Sequence, residues 1–452
     1  MKTNTLQVII IGAGTGGLCL AHGLKRAGID VRVYERDRTR RDGLHGYRVG
    51  ISPAGSQALK SCLPPPLFDL FVATCARAPR HFNMLTENMS ELISMPVPGS
   101  DDPVDSEKSV SRMTLRQVLL TGLEDCVVFD KILSSYRNNE DGTVTVVFDD
   151  GSTDTGDVLV GADGANSRVR KQRLPEARME DTGIVSIGGK AALTPETRAL
   201  LPDKVFHGIS MIMAPKGYGA ILHVMEFKWD NDGVKHGVGG NEADLIAEWP
   251  GLLFDNTRDY IMWGVWGARK NLPEDPASLP GPDLARIAAK MTRNWHPDLR
   301  RLIALSDPTT IFRVNIRTSV PASPWQSSNV TLLGDAIHTM TPGRGVGANT
   351  AMRDAALLCK RLTEVRDGGK PLVEALHAYE AEMLEYSARA VLESRKQMDA
   401  NSLSHRPVLG RIQLAVMRGA LRIINAVPAL KRRMTDSETR LRKIDNKHEF
   451  AA

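Results

Sequence analysis

Cysteine is scarce in this chain. Its five copies, Cys19, Cys62, Cys75, Cys126 and Cys359, are odd in number and show no CxxC or CxxH spacing. Neither a disulfide framework nor a zinc site is expected of them, and they read as buried thiols. Long apolar runs are also missing. The longest, near Val8 to Ile11 and Asn329 to Leu333, are strand-sized and far short of the roughly 20 residues that a membrane span requires. The start, MKTNTLQVIIIGAG, passes straight into a strand and a glycine turn. That leaves no room for the three regions of a signal peptide, so a cytoplasmic location is expected. Charge of one sign is not in excess: the net charge is +5, and basic residues interleave with acidic ones except near the C-terminus. Nucleic acid is therefore not an expected partner. No internal repeat or low-complexity segment is visible.

What remains is a globular composition, 42% hydrophobic and 25% charged over 452 residues, long enough for two lobes around one main sheet. The first 35 residues are the most informative. Gln7 to Ile11 is an apolar, β-branched run that enters GAGTGG; Leu18, Ala21, Leu24 and Ala27 then mark one face of a helix, and a second strand runs from Asp30 to Glu35. This strand, helix and strand context gives the GxGxxG pattern its force. Gly12 makes the tight turn, Gly14 lets the backbone approach a pyrophosphate, and Gly17 lets helix and strand pack closely. Free N–H groups and the positive dipole end at the helix start hold phosphates. Glu35 is placed to accept both ribose hydroxyls and would repel a 2′-phosphate, and its neighbour Arg36 is counted with it among the cofactor-binding candidates. The motif alone leaves NAD and FAD both open.

Two further junctions favour the flavin. Asp157 to Ala162 is an apolar strand followed by Asp163 and Gly164; Asn329 to Leu333 is another, followed by GDAIHTMTPGRGVGANTAMRDAALL. Loops at the carboxyl ends of parallel strands bind ligands in open α/β sheets, and an elongated cofactor would account for three of them. Asp335 can take a ribityl hydroxyl. Gly343, Gly345 and Gly347 remove side chains where a flat ring could lie, and a helix beginning near Ala348 would aim its positive end at the flavin.

With these three motifs in this order, the chain resembles the class A FAD-dependent monooxygenases, the family of p-hydroxybenzoate hydroxylase, from about Val8 to about Leu362. The resemblance implies that Asp335 contacts the FAD ribityl chain and that Pro342, Gly345, Val346 and Gly347 lie along the isoalloxazine. It also implies that Asp163 and Gly164 serve the cofactor near the nicotinamide donor. Arg112, in RMTLRQVL with Leu115 and Leu119 at helical spacing, looks like the arginine that these enzymes direct at FAD. Arg48, in GYRVGISP, resembles a second position near the flavin, against the alternative of a surface arginine in a strand. One departure is plain: where many members have GGQG this chain has GRGVGAN, so Arg344 and Val346 stand at positions that are elsewhere small or amide-bearing. Substrate groups known for GGQG members are not carried over.

The expected fold is α/β: a Rossmann-like FAD-binding domain (1–80, 108–181 and 323–370) with an inserted antiparallel β-sheet substrate domain (81–107 and 182–322) and a C-terminal helical region (371–452). Within the sheet, His207, Met211, Met213, His223, Met225, Trp263 and Trp266 are read first as core, and His338 as structural. No catalytic base is named and no metal is expected. Leu372 to Lys396 reads as a long helix. The apolar stretch from Pro407 to Met434 reads as a bridging helix, with a membrane-surface helix as its rival. The family resemblance implies a small organic substrate, O2, and NADPH or NADH as co-substrate, for hydroxylation, epoxidation or Baeyer–Villiger chemistry. A second GxGxxG for the donor is absent, as is the WxWxIP of flavin halogenases, since Trp263 and Trp266 are not followed by Ile-Pro. A flavin dehydrogenase without oxygen insertion and a non-catalytic flavin-binding protein are the alternatives.

Overall fold

The computed structural model describes residues 6–40, 48–97, 99–230, 233–234, 259–276 and 279–446. The N-terminal MKTNT and Gly46 and Tyr47 of GYRVGISP lie outside the described residues.

The first strand, β1 (Gln7–Ile11), runs into helix α1 (Thr15–Arg26) and β2 (Asp30–Tyr34), and a short β3 (Val127–Val128), β4 (Val158–Gly161) and β5 (Val330–Leu332) complete the sheet. The order is β5-β4-β1-β2-β3, and every neighbouring pair is parallel, with Ile10 opposite Val160 on one side and Val33 on the other. Such a sheet is covered on both faces, which is why β1 and β4 read as unbroken apolar runs rather than alternating ones. Leu18 and Leu24 of α1 and Leu358 and Leu362 of a later helix, α2 (Gly347–Arg366), are fully buried against it. Each such side chain contributes roughly 1.5–3 kcal/mol of transfer free energy.

α1 and α2 cross closely at Gly23, where a β-carbon would stand 2.7 Å from Cys359 Sγ and 3.2 Å from Cys62 Sγ. All five cysteines are free thiols; four are buried, and Cys359 is partly exposed.

A second sheet of seven strands has the order Phe312–Ser319, Met179–Ala192, Tyr260–Ala268, Gly219–Met225, Gly208–Met213, His81–Thr86 and Glu91–Pro96. It is antiparallel except where Gly208–Met213 runs parallel to His81–Thr86. That pair is joined by no hairpin turn, so nothing local forces the reversal. Helices Gly281–Met291 and Pro297–Ala304 bury Leu284, Ile287, Leu299 and Leu302 with Trp263 and Ile187.

Strand alternation sorts the residues read from the sequence as core. Trp263 is core, with its indole N–H donating to Ser306 Oγ at 2.7 Å, and Met225 and His223 are buried. Trp266, three residues on, faces the other way and lines a cavity with Met211 and Met213, whereas His207 is exposed.

The C-terminal part is helical: α3 (Leu372–Arg395), α4 (Leu409–Ala426) and α5 (Pro428–Asn446). α3 packs beside α2 through Leu376, Tyr379 and Met383. α4 sets Leu421 against Leu92, Ile93 and Met95 at the edge of the second sheet. None of the described helices is long and apolar enough to cross a membrane.

Candidate functional site

The motif loops sit at the carboxyl ends of four adjacent parallel strands: β5, β4, β1 and β2. In the loop after β1 the three glycines are not equivalent. Gly12 has φ +109°, and a β-carbon on it would stand 2.4 Å from the Ala162 carbonyl oxygen. One on Gly17 would stand 2.2 Å from the Gly12 oxygen, so this glycine permits the close approach of α1 to β1. At Gly14 a β-carbon would meet nothing within 4 Å. The backbone is bare there, at the N-cap of α1.

Glu35, buried at the end of β2, clasps this loop: its Oε2 accepts from Ala13 N at 2.6 Å and its Oε1 from Asp37 N at 3.0 Å. Arg116 lies 4.0 Å from Glu35 and 2.8 Å from Asp37, and offsets their charge. Arg116 escapes a motif-based reading; its one-turn spacing from Arg112 on the Arg112–Leu120 helix is the only sequence signal. Arg36 is exposed.

After β4, Asp163 Oδ2 accepts from Arg168 N at 2.7 Å and Val169 N at 3.3 Å, which caps the next helix. Its Oδ1 is buried and has no hydrogen-bond partner among the described residues. Gly164 follows with φ +73°.

After β5 the chain turns at Gly334, φ +60°, into a short helix, Asp335–His338. The Asp335 side chain is open on one side and crowded by protein on the others. Burial pushes its carboxyl above the usual range, opposed by the charges of His338 and Arg112. Arg112, at the start of its helix, is exposed toward solvent.

Beneath this turn lies a buried network. Asp354 Oδ2 accepts from Gly334 N at 2.8 Å and from His338 Nε2 at 2.6 Å, and its Oδ1 accepts from the Tyr386 hydroxyl at 2.5 Å. Burial alone would lower the His338 pKa, but Asp354 and, behind it, Asp335 outweigh burial and raise it. Arg353 stacks on the Tyr386 ring at 3.6 Å. His338 is thus buried and held by Asp354 beneath the turn. Asp354 and Tyr386 were not singled out in the sequence. A lone acid entering an apolar helical run, directly before Ala355, Ala356, Leu357 and Leu358, is the signal that could have found Asp354.

In the Pro342–Val346 loop, Gly345 has φ +65° and open space where a β-carbon would go, and just beyond it a β-carbon on Gly347 would be in ordinary contact with Met340 at 3.6 Å. Gly343 lines the cavity together with Pro342, Gly345 and Val346, and a β-carbon there would stand 2.8 Å from Gln397 Oε1 beside the end of α3. Asn349, in the first turn of α2, ties this loop to a distant segment: its Nδ2 donates to the Gly50 oxygen at 2.9 Å and its Oδ1 accepts from Ser52 N at 2.8 Å.

A cavity of about 800 Å³ extends from Pro342, Gly345 and Val346 to the second sheet. Arg48 stands in its wall. Held on a strand that pairs with Lys108–Ser111, it donates through Nε to Ser109 Oγ at 2.9 Å. Burial lowers its pKa to about 10, so it remains a cation at neutral pH, in the cavity wall rather than on a surface strand.

The comparisons with known proteins agree with this geometry. A family model described as FAD binding domain matches residues 5–47 and 282–394. The dual O-methyltransferase/FAD-dependent monooxygenase CTB3 of Cercospora beticola is 33% identical over 410 residues, covering 87% of this chain but 46% of that protein. The chain therefore spans about half the length of such relatives. Among solved structures, a protein of Photorhabdus luminescens described as a FAD containing monooxygenase is 33% identical with a TM-score of 0.74, covering 88% of this chain and 98% of that one. Klebsiella pneumoniae HpxO complexed with FAD and uric acid has a TM-score of 0.70 at 25% identity, covering 94% and 96%. With the 33%-identical Photorhabdus protein matched over 98% of its length, the chain belongs to the class A FAD-dependent monooxygenase family.

Proposed function

We propose that this chain uses NADPH or NADH and O2 to insert one oxygen atom into a small organic substrate, the second oxygen leaving as water. The observation that carries this reading is the continuity of the cavity. It joins the bare Gly345 loop after β5 to a second sheet that supplies a separate, largely apolar wall of Met84, Met211, Met213 and Trp266. A cavity of about 800 Å³ has the size of a small-molecule site.

The residues fit FAD. Bare backbone at Gly14, beside the free N–H groups of α1, suits a pyrophosphate, and Glu35 next to it suits the adenosine ribose. Asp163 Oδ1 is buried without a donor among the described residues, and a hydroxyl group of a bound flavin would supply one; the exposed Asp335 carboxylate can accept another. Arg112, facing Asp335 electrostatically, offsets charge there. Bound FAD supplies the redox chemistry and the activation of O2.

The protein's share is position, dryness and charge. The N-terminal end of α2 directs its dipole at the Pro342–Val346 loop, where it would favour negative charge on a bound flavin. The Gly334–Asp335 turn is held rigid by Asp354. The apolar wall keeps water from the reacting carbon, and the Arg48 guanidinium suits a substrate that carries an anionic or phenolic oxygen. The unit built on the parallel sheet would hold the cofactor and the seven-stranded sheet the substrate.

Turnover with labelled O2 tests the reading. NADPH or NADH consumption coupled to one labelled oxygen atom per product is expected. Product without label, at undiminished turnover, would overturn it in favour of a flavin dehydrogenase.

A further inference from the structure

A surface helix needs one apolar face to join the core, but α4 has two. Its inner face, with Met417, Leu421 and Ile424, packs on the edge of the second sheet, and Arg418 and Asn425 bind Glu87 and Glu91 there. About a third of a turn around the helix Leu409, Ile412, Val416 and Ile423 form a stripe at helical spacing, continued by Val427 and by Leu430 at the start of α5. These side chains are 39–68% exposed, with Val416 at the upper limit. A contiguous apolar patch of this kind marks an interaction surface.

Charge indicates what covers it. From Ala400 to Thr435 the sequence has seven arginines and lysines and no acidic residue. Arg411, Arg422, Arg432 and Arg433 are exposed, and at about 100° of rotation per residue Arg411 and Arg422 share one flank of the stripe. A second copy meeting this face about a twofold axis would bring like charges together with no carboxylate from the segment to pair them. An anionic bilayer matches both features, because it accepts the apolar stripe below its headgroups and attracts the flanking arginines.

We propose that α4 and the start of α5 dock this protein on an anionic membrane surface, lying in the interface without spanning it. The inner face of the same helix, through Gln413, Leu414, Met417 and Leu421, lines the cavity, so docking would hold the cavity wall against lipid. This inference stands apart from the proposed oxygen insertion, because vesicle binding is read without turnover.

The test is co-sedimentation of the FAD-loaded protein with phosphatidylcholine vesicles containing or lacking phosphatidylserine, at low and high salt. Binding to the anionic vesicles that weakens with salt is expected. Arg411→Ala with Arg422→Ala should weaken it about 30-fold, at ~1 kcal/mol per charge, and Ile412→Glu with Val416→Glu should abolish it while FAD content and thermal stability stay unchanged. Absence of sedimentation with anionic vesicles would overturn the proposal. So would a dimer in light scattering that dissociates in Ile412→Glu with Val416→Glu and never binds vesicles.

Discussion

Gly14 and Gly17 lie three residues apart in one motif, yet substitution by alanine should separate cofactor binding from stability. At Gly17 the new β-carbon would stand 2.2 Å from the Gly12 oxygen and 3.2 Å from Ala162 Cβ. Both neighbours directly follow the central strands β1 and β4, so α1 must withdraw from β1. Overpacking of this kind costs about 1–3 kcal/mol, and because α1 also packs on α2 the loss should appear in the melting of the apo protein. At Gly14 the backbone is at φ −81° and ψ 179°, which alanine adopts freely, and the β-carbon meets nothing. Apo stability should therefore change by no more than about 0.5 kcal/mol. The same β-carbon enters the space assigned to the pyrophosphate. A clash of about 1–3 kcal/mol there weakens FAD binding by about 5- to 150-fold. Thermal melts of the two apo variants, with FAD titration followed by quenching of flavin fluorescence, measure both quantities. Gly14→Ala protein that binds FAD like the wild type would refute the placement of the pyrophosphate. Equal stability losses in the two variants would refute the assignment of separate roles.

Other expectations concern the turn after β5 and the cavity. Asp335→Ala should yield protein with little bound FAD and undiminished apo stability, since it removes a crowded carboxylate whose pKa burial has raised; full flavin absorbance in the purified variant would contradict this. The raised pKa of His338 means that its stabilising charge is complete below the unfolded value of about 6.5 and is lost as pH rises through the folded one. The stability difference between wild type and His338→Gln should then be larger at pH 6 than at pH 9 in urea unfolding, and a difference that grows with pH would count against the ion pair. Trp266→Ala removes part of the cavity wall on the second sheet and should raise the substrate KM roughly tenfold or more with FAD content unchanged; loss of flavin instead would mean that the cavity was misassigned.

The part of the molecule legible in the sequence is the part governed by local rules. β1, α1 and β2 follow from an apolar run, a 3.6-residue period and three glycines. The strands before Asp163 and Asp335 follow from unbroken apolarity, which only burial on both faces explains. What escaped was set by partners distant in the chain. Asp354 is one acid among many until Gly334, His338 and Tyr386 are brought around it. Trp263 and Trp266 look alike in sequence, and their separation into core and cavity depended on which face of the sheet the helices cover. The exposed stripe of α4 was legible only as apolar. A 3.6-residue period records which residues share a face, whereas whether that face meets a neighbouring strand or open solvent is decided by where the rest of the chain packs.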